Sequence, residues 1–133
     1  MVEEIRDWTG NLLAMVVRGA YRPGGVEFVS PPDHALQLAV SHYPKGRRIR
    51  PHVHSPRRIT VGRVEEVVHV RGGRVAVDLY GTEDEVAGTV QLAAGDTIFL
   101  AAGGHGFSIL EDTDIVEVKQ GPYAGSEADK RYL

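Results

Sequence analysis

At 133 residues, with 42% hydrophobic and 25% charged side chains, the chain is expected to be a single domain (1–133) that buries its own core. A net charge of −3 and a pI near 6.0 give no electrostatic reason to expect nucleic acid or an anionic membrane as partner. With no cysteine, disulfides, thiolate metal sites and cysteine nucleophiles are excluded, which leaves nitrogen and oxygen donors.

The first residues, Met1-Val-Glu-Glu-Ile-Arg-Asp, are acidic where a signal peptide needs a basic start, and no apolar run reaches membrane-spanning length; a cytoplasmic protein is expected. Residues 1–11 read as a polar N-terminal arm that packs Trp8 onto the body or a second subunit. Leu12 to Arg18 is apolar and too short for a helix, so it predicts a buried strand. Arg22-Pro23-Gly24-Gly25 turns the chain, Val26 to Val29 alternates as a strand, and Ser30-Pro31-Pro32-Asp33 stops it. Leu36 to His42 alternates again, with Leu36, Leu38, Val40 and His42 on one face. Arg47 to His54 is the next extended segment.

Beyond a loop around Pro56, Val64 to Val70 and Arg74 to Tyr80 predict a hairpin across Gly72-Gly73. Thr89–Leu92, Thr97–Leu100, Phe107–Leu110 and Ile115–Lys119 read as further strands, and residues 121–133 as a polar tail with helical pattern only near Ser126 to Arg131. About ten short strands with turns between them predict an antiparallel sandwich or barrel.

Chemistry gathers in three places. On an extended strand His52 and His54 project to one side, together with Arg48 and Arg50, and form a ready pair of imidazole donors. A carboxylate has to come from a neighbouring strand, and Glu65 and Glu66 point to opposite faces; periodicity alone does not choose between them. His105 follows Gly103-Gly104, where glycines let the backbone turn sharply.

These segments resemble the two motifs of the cupin superfamily. Gly46, five residues, His52-Val53-His54, then Glu66, six residues and Gly73 is similar to the first motif; Gly95, five residues, Ala101 and Gly103-Gly104-His105 is similar to the second. Ala101 stands where the family has proline, and eleven residues separate His54 from Glu66 where the family has three or four. The resemblance covers roughly residues 36 to 120. It implies an all-β double-stranded β-helix, the jelly-roll barrel, with one divalent metal held by His52, His54, Glu66 and His105, and it favours Glu66 over Glu65. It also implies a homodimer paired through edge strands, with the N-terminal arm exchanged.

Histidine and carboxylate donors suit Fe(II), Mn(II), Ni(II), Co(II) or Zn(II). The expected function is a metal-dependent enzyme acting on a small polar or anionic metabolite, as a dioxygenase or other oxidoreductase. A metal-dependent isomerase, epimerase or lyase is the alternative, with Glu66 or His42 as the base; a non-catalytic small-molecule-binding protein is the third reading. Arg48 and Arg50 are the candidate substrate clamps.

Overall fold

Ten strands form in the computed structural model, which describes residues 1–133. They are β1 (Val2–Arg6), β2 (Leu12–Val17), β3 (Val26–Phe28), β4 (Ala39–Ser41), β5 (Glu66–Gly72), β6 (Arg74–Tyr80), β7 (Val86–Ala93), β8 (Thr97–Leu100), β9 (Gly104–Ile109) and β10 (Asp114–Lys119). One short helix, α1 (Ser126–Asp129), lies in the tail. The protein is all-β, and every strand pair is antiparallel. No helix is long and apolar enough to cross a membrane.

The larger sheet has the order β1-β2-β8-β5-β10, the smaller β7-β6-β9, and β3-β4 is a separate ribbon. Period-two alternation decides what each strand buries. Ala14, Val16, Val68, Val70, Ile98 and Leu100 of the larger sheet share one core with Val75, Val77, Leu79 and Leu92 of the smaller, the layering of a β-sandwich. The intervening residues of the larger sheet face outward. Met15, Phe99 and Ala101 form a second cluster there, covered by Val29, Leu36 and Leu38 of the segment joining β3 to β4. Burying one such aliphatic side chain contributes about 1.5–3 kcal/mol.

Four sequence expectations are corrected. Residues 1–11 do not attach to the body through Trp8, which is 77% exposed; β1 pairs with β2 inside the same sheet. The strand expected over Leu36–His42 is confined to Ala39–Ser41, because Leu36 and Leu38 are spent covering Phe99. Arg47 to His54 joins no sheet. The hairpin across Gly72-Gly73 does not form either, since β5 lies between β8 and β10 while β6 lies between β7 and β9. Gly73 is instead the corner where the chain passes from one sheet to the other. Its φ of +88° disfavours a side chain, and a Cβ there would lie 2.3 Å from the Asp112 carbonyl oxygen.

The Gly95-Asp96 turn before β8 is fixed from three sides. The Asp96 carboxylate accepts from the N–H of Gly19 (2.9 Å), the N–H of Ala93 (2.9 Å) and the Arg18 guanidinium (3.0 Å). Burial works against the charge, yet these three donors outweigh it and keep the acid below its ordinary pKa.

Candidate functional site

Glu66 opens β5 on the same face as the buried Val68 and Val70, so its carboxylate points between the sheets. His105 lies on β9, one alternation before Phe107, which packs on the shared core. Their strands belong to opposite sheets, and His105 Nε2 stands 3.4 Å from Glu66 Oε2. Lys119 is the register partner of Glu66 across β5 and β10. A cavity of about 740 Å³ opens here, lined by Glu66, Tyr80, His105, Phe107, Glu117 and Lys119 among others. Its size is within the roughly 300–1,000 Å³ of small-molecule sites.

The C-terminal tail forms one wall of the cavity, from Asp129 to Leu133. Arg131 makes two hydrogen bonds to the Asp84 carboxylate, at 2.9 and 3.0 Å. Lys119 donates to Asp129 at 3.2 Å, and its ammonium lies 5.0 Å from the centre of the Tyr123 ring. The Asp129 contact, against partial desolvation and helped by the charges of Asp129, Glu66 and Glu117, raises the Lys119 pKa above its ordinary value and keeps the side chain cationic.

Glu65 faces the other way. Its carboxylate accepts from the backbone N–H of Ala35 (2.9 Å) and Leu36 (3.3 Å) and pairs with His34 Nδ1, while its own N–H donates to Gln120 Oε1 at 2.7 Å. With 2% of its surface exposed, Glu65 anchors the covering segment over Phe99. Of the two adjacent glutamates, Glu66 is the one in the cavity.

His52 and His54 stand elsewhere. Every residue from His42 to Val64 is exposed and outside any helix or strand. The two imidazoles are neighbours, with ring centres 5.2 Å apart, and His52 Nδ1 hydrogen-bonds the Arg50 carbonyl at 2.8 Å. Arg48 and Arg50 are on the same exposed segment and line no part of the cavity. His42, the candidate base, is exposed where the ribbon ends; its backbone N–H donates to Gly25 at 2.8 Å, and it too is absent from the cavity wall. His69 faces outward and bonds Thr97 Oγ1 at 2.9 Å.

The sequence-derived set therefore divides into two pairs, Glu66 with His105 and His52 with His54. No group of three or more histidine, aspartate or glutamate side chains is gathered around a common point. Glu66 and His105 are spaced as two donors to a common ion could be. Two donors at about 2.0–2.2 Å from one ion, at a right or tetrahedral angle, stand roughly 3.0–3.5 Å apart. Their 3.4 Å separation is in that range and exceeds the roughly 2.7–2.9 Å of a charge-assisted hydrogen bond. A stable centre needs more donors than this pair, and one chain as folded here does not assemble them.

Sequence reasoning passed over Tyr80, Glu117 and the tail as cavity walls. The signal for Glu117 and Lys119 was present: with Ile115 they occupy alternate positions of β10, so two charges share a strand face with a core residue. The tail left no such signal, because its placement depends on single ion pairs between residues distant in sequence. Comparison with family models, curated proteins and solved structures finds no match to this chain.

Proposed function

We propose that this protein is a metal-dependent enzyme of the cupin type, acting on a small polar, anionic metabolite in the cavity between its two sheets. The observation that carries the reading is the approach of Glu66 and His105 from opposite sheets to 3.4 Å inside a cavity that also holds a cationic lysine. The remaining donors of this reading are His52 and His54 of the first motif-like segment, brought in from the exposed stretch that carries them, and the finer fold would be the double-stranded β-helix. Fe(II), Mn(II), Ni(II), Co(II) or Zn(II) fits such donors. When bound, the ion would supply Lewis acidity or redox chemistry, with dioxygenase-type oxidation as the first reaction expected. Phe107 and the tail form walls of the cavity, and Lys119 would pair with an anionic substrate in place of Asp129.

A second reading, isomerase, epimerase or lyase chemistry, has its own support. Glu66 and His105 place two proton-transfer groups in one cavity, with the cationic Lys119 beside them. Oxygen uptake with Fe(II) separates the two, since proton-transfer chemistry proceeds fully without air.

The test of the common claim is elemental analysis of protein purified without added metal or chelator. About one divalent ion per chain is expected, lost in His105→Ala and reduced in Glu66→Gln. Stoichiometric metal persisting in both variants would remove these residues as ligands.

A further inference from the structure

The segment from His42 to Val64 is the least explained part of the molecule. It is 23 residues long, exposed throughout and without a strand or helix, although compact domains rarely contain structureless loops of that length. It carries seven of the fifteen lysines and arginines and none of the eighteen acids, so the other 110 residues hold eight bases against all eighteen acids, a net charge of −10. Unlike a solvated linker, it exposes apolar side chains: Ile49 (57%), Val53 (94%) and Ile59 (58%). Arg48, Arg50, His52 and His54 alternate with Ile49, Pro51 and Val53, the pattern of a strand that has found no sheet.

The body has what this segment lacks. β9 pairs with β6 on one side only, and β10 with β5 on one side only. One end of each open edge, Gly104 to Phe107 and Glu117 to Lys119, lines the cavity, and the connection at the other end carries Glu111, Asp112 and Asp114. Val116, Val118 and Ile109 near these edges are exposed apolar residues without cover. Open edges of this kind are templates for another strand.

We infer that the His42–Val64 segment is exchanged between two copies of this chain, each copy laying its segment along the β9 edge of the other. The inference rests on the metal reading above for the purpose it assigns to His52 and His54. Pairing on β9 sets alternate residues of the incoming strand on the side of His105 and Phe107, so His52 and His54 of one copy enter the cavity that holds Glu66 and His105 of the other. Ile49 and Val53 then lie on the outer face of the small sheet, where Gly106 leaves open space. A single chain leaves the segment off its own body, whereas reciprocal exchange closes both copies with one two-fold interface. The attraction is between a segment of +7 and a body of −10, so it weakens with salt. The site is then shared: neither copy alone has four donors.

Complementation tests this. One chain carries His52→Ala with His54→Ala, the other His105→Ala, and Zn(II) binding and mass in solution are measured for each alone and for the two co-expressed in equal amounts. Wild type is expected to be a dimer with about one Zn(II) per chain, and each variant alone to lose at least tenfold in affinity. Half of the co-expressed dimers are mixed and each mixed dimer has one complete site of two, so binding returns to about one quarter of the wild-type level. A Zn(II)-binding monomer, or co-expression that restores nothing while wild type binds, overturns the exchange and leaves the metal reading intact. A wild type that binds no Zn(II) removes the metal reading. The exchange then stands if Arg48→Glu with Arg50→Glu turns a dimer into monomers, and fails if wild type is a monomer.

Discussion

The two-sheet body and the His42–Val64 segment are made of similar short alternating stretches, yet only one of them is folded. In the body each apolar face meets another, so Val68, Val75 and Ile98 are fully buried. In the segment the faces are as regular, but one face is arginine and histidine, and nothing acidic within it offsets the repulsion. A strand is stabilised by what covers it rather than by its own pattern. The difference shows which alternating stretches find a covering face in the chain and which do not.

Truncation should expose this difference most strongly. Phe99→Ala in the buried outer cluster is expected to cost about 3–5 kcal/mol in chemical denaturation. Ile49→Ala should change monomer stability by no more than about 0.5 kcal/mol in dilute protein, and should lower the melting temperature at concentrations where dimers form. Equal losses at both positions in dilute protein would mean that the segment packs on its own body.

The adjacent glutamates give the next largest effect. Glu65→Gln keeps one oxygen for the N–H groups of Ala35 and Leu36 but replaces the oxygen that pairs with His34 by an amide nitrogen, and is expected to lose about 1.5–3 kcal/mol. Glu66→Gln should leave stability within about 0.5 kcal/mol and reduce metal binding instead. A reversed pattern would exchange their roles. Gly73→Ala follows, at more than about 1 kcal/mol, because the corner needs both a positive φ and an absent Cβ.

The smallest effect is a pH dependence. Hydrogen bonds from the Thr9 hydroxyl, then from Asn11 and the backbone N–H groups of both residues, outweigh partial desolvation and hold the Asp7 carboxyl far below its ordinary value of 3.8. A depressed folded-state pKa adds stability that is complete above 3.8 and is lost as pH falls through the folded value. The melting-temperature gap between wild type and Asp7→Asn should therefore be widest near neutrality and shrink in strong acid. A constant gap would show that the turn is held by shape rather than by charge.

Much of the body was legible in the sequence because period-two alternation is a local signal. Leu12–Val17, Arg74–Tyr80 and Thr97–Leu100 could be read from their own residues. Pairing was not local. Gly72-Gly73 looks like a hairpin turn, and only the placement of β5 and β6 in different sheets shows that it is a corner between them. Glu66 and His105 were named from motif spacing, and their approach across the cavity depends on two sheets that no single stretch describes. The separation of His52 and His54 from that pair was illegible, because alternation predicts a strand without saying whether any edge receives it. The cavity wall built by the tail depends on Arg131 finding Asp84, 47 residues away, which no pattern announces.

The central claim is that Glu66 and His105 share one ion. Anomalous scattering from crystals of the metal-loaded protein tests it directly. The account predicts a single strong peak between the sheets, about 2.0–2.2 Å from both His105 Nε2 and a Glu66 carboxylate oxygen. A peak held only by His52 and His54 on the protein surface, or none in the cavity at full loading, would contradict it.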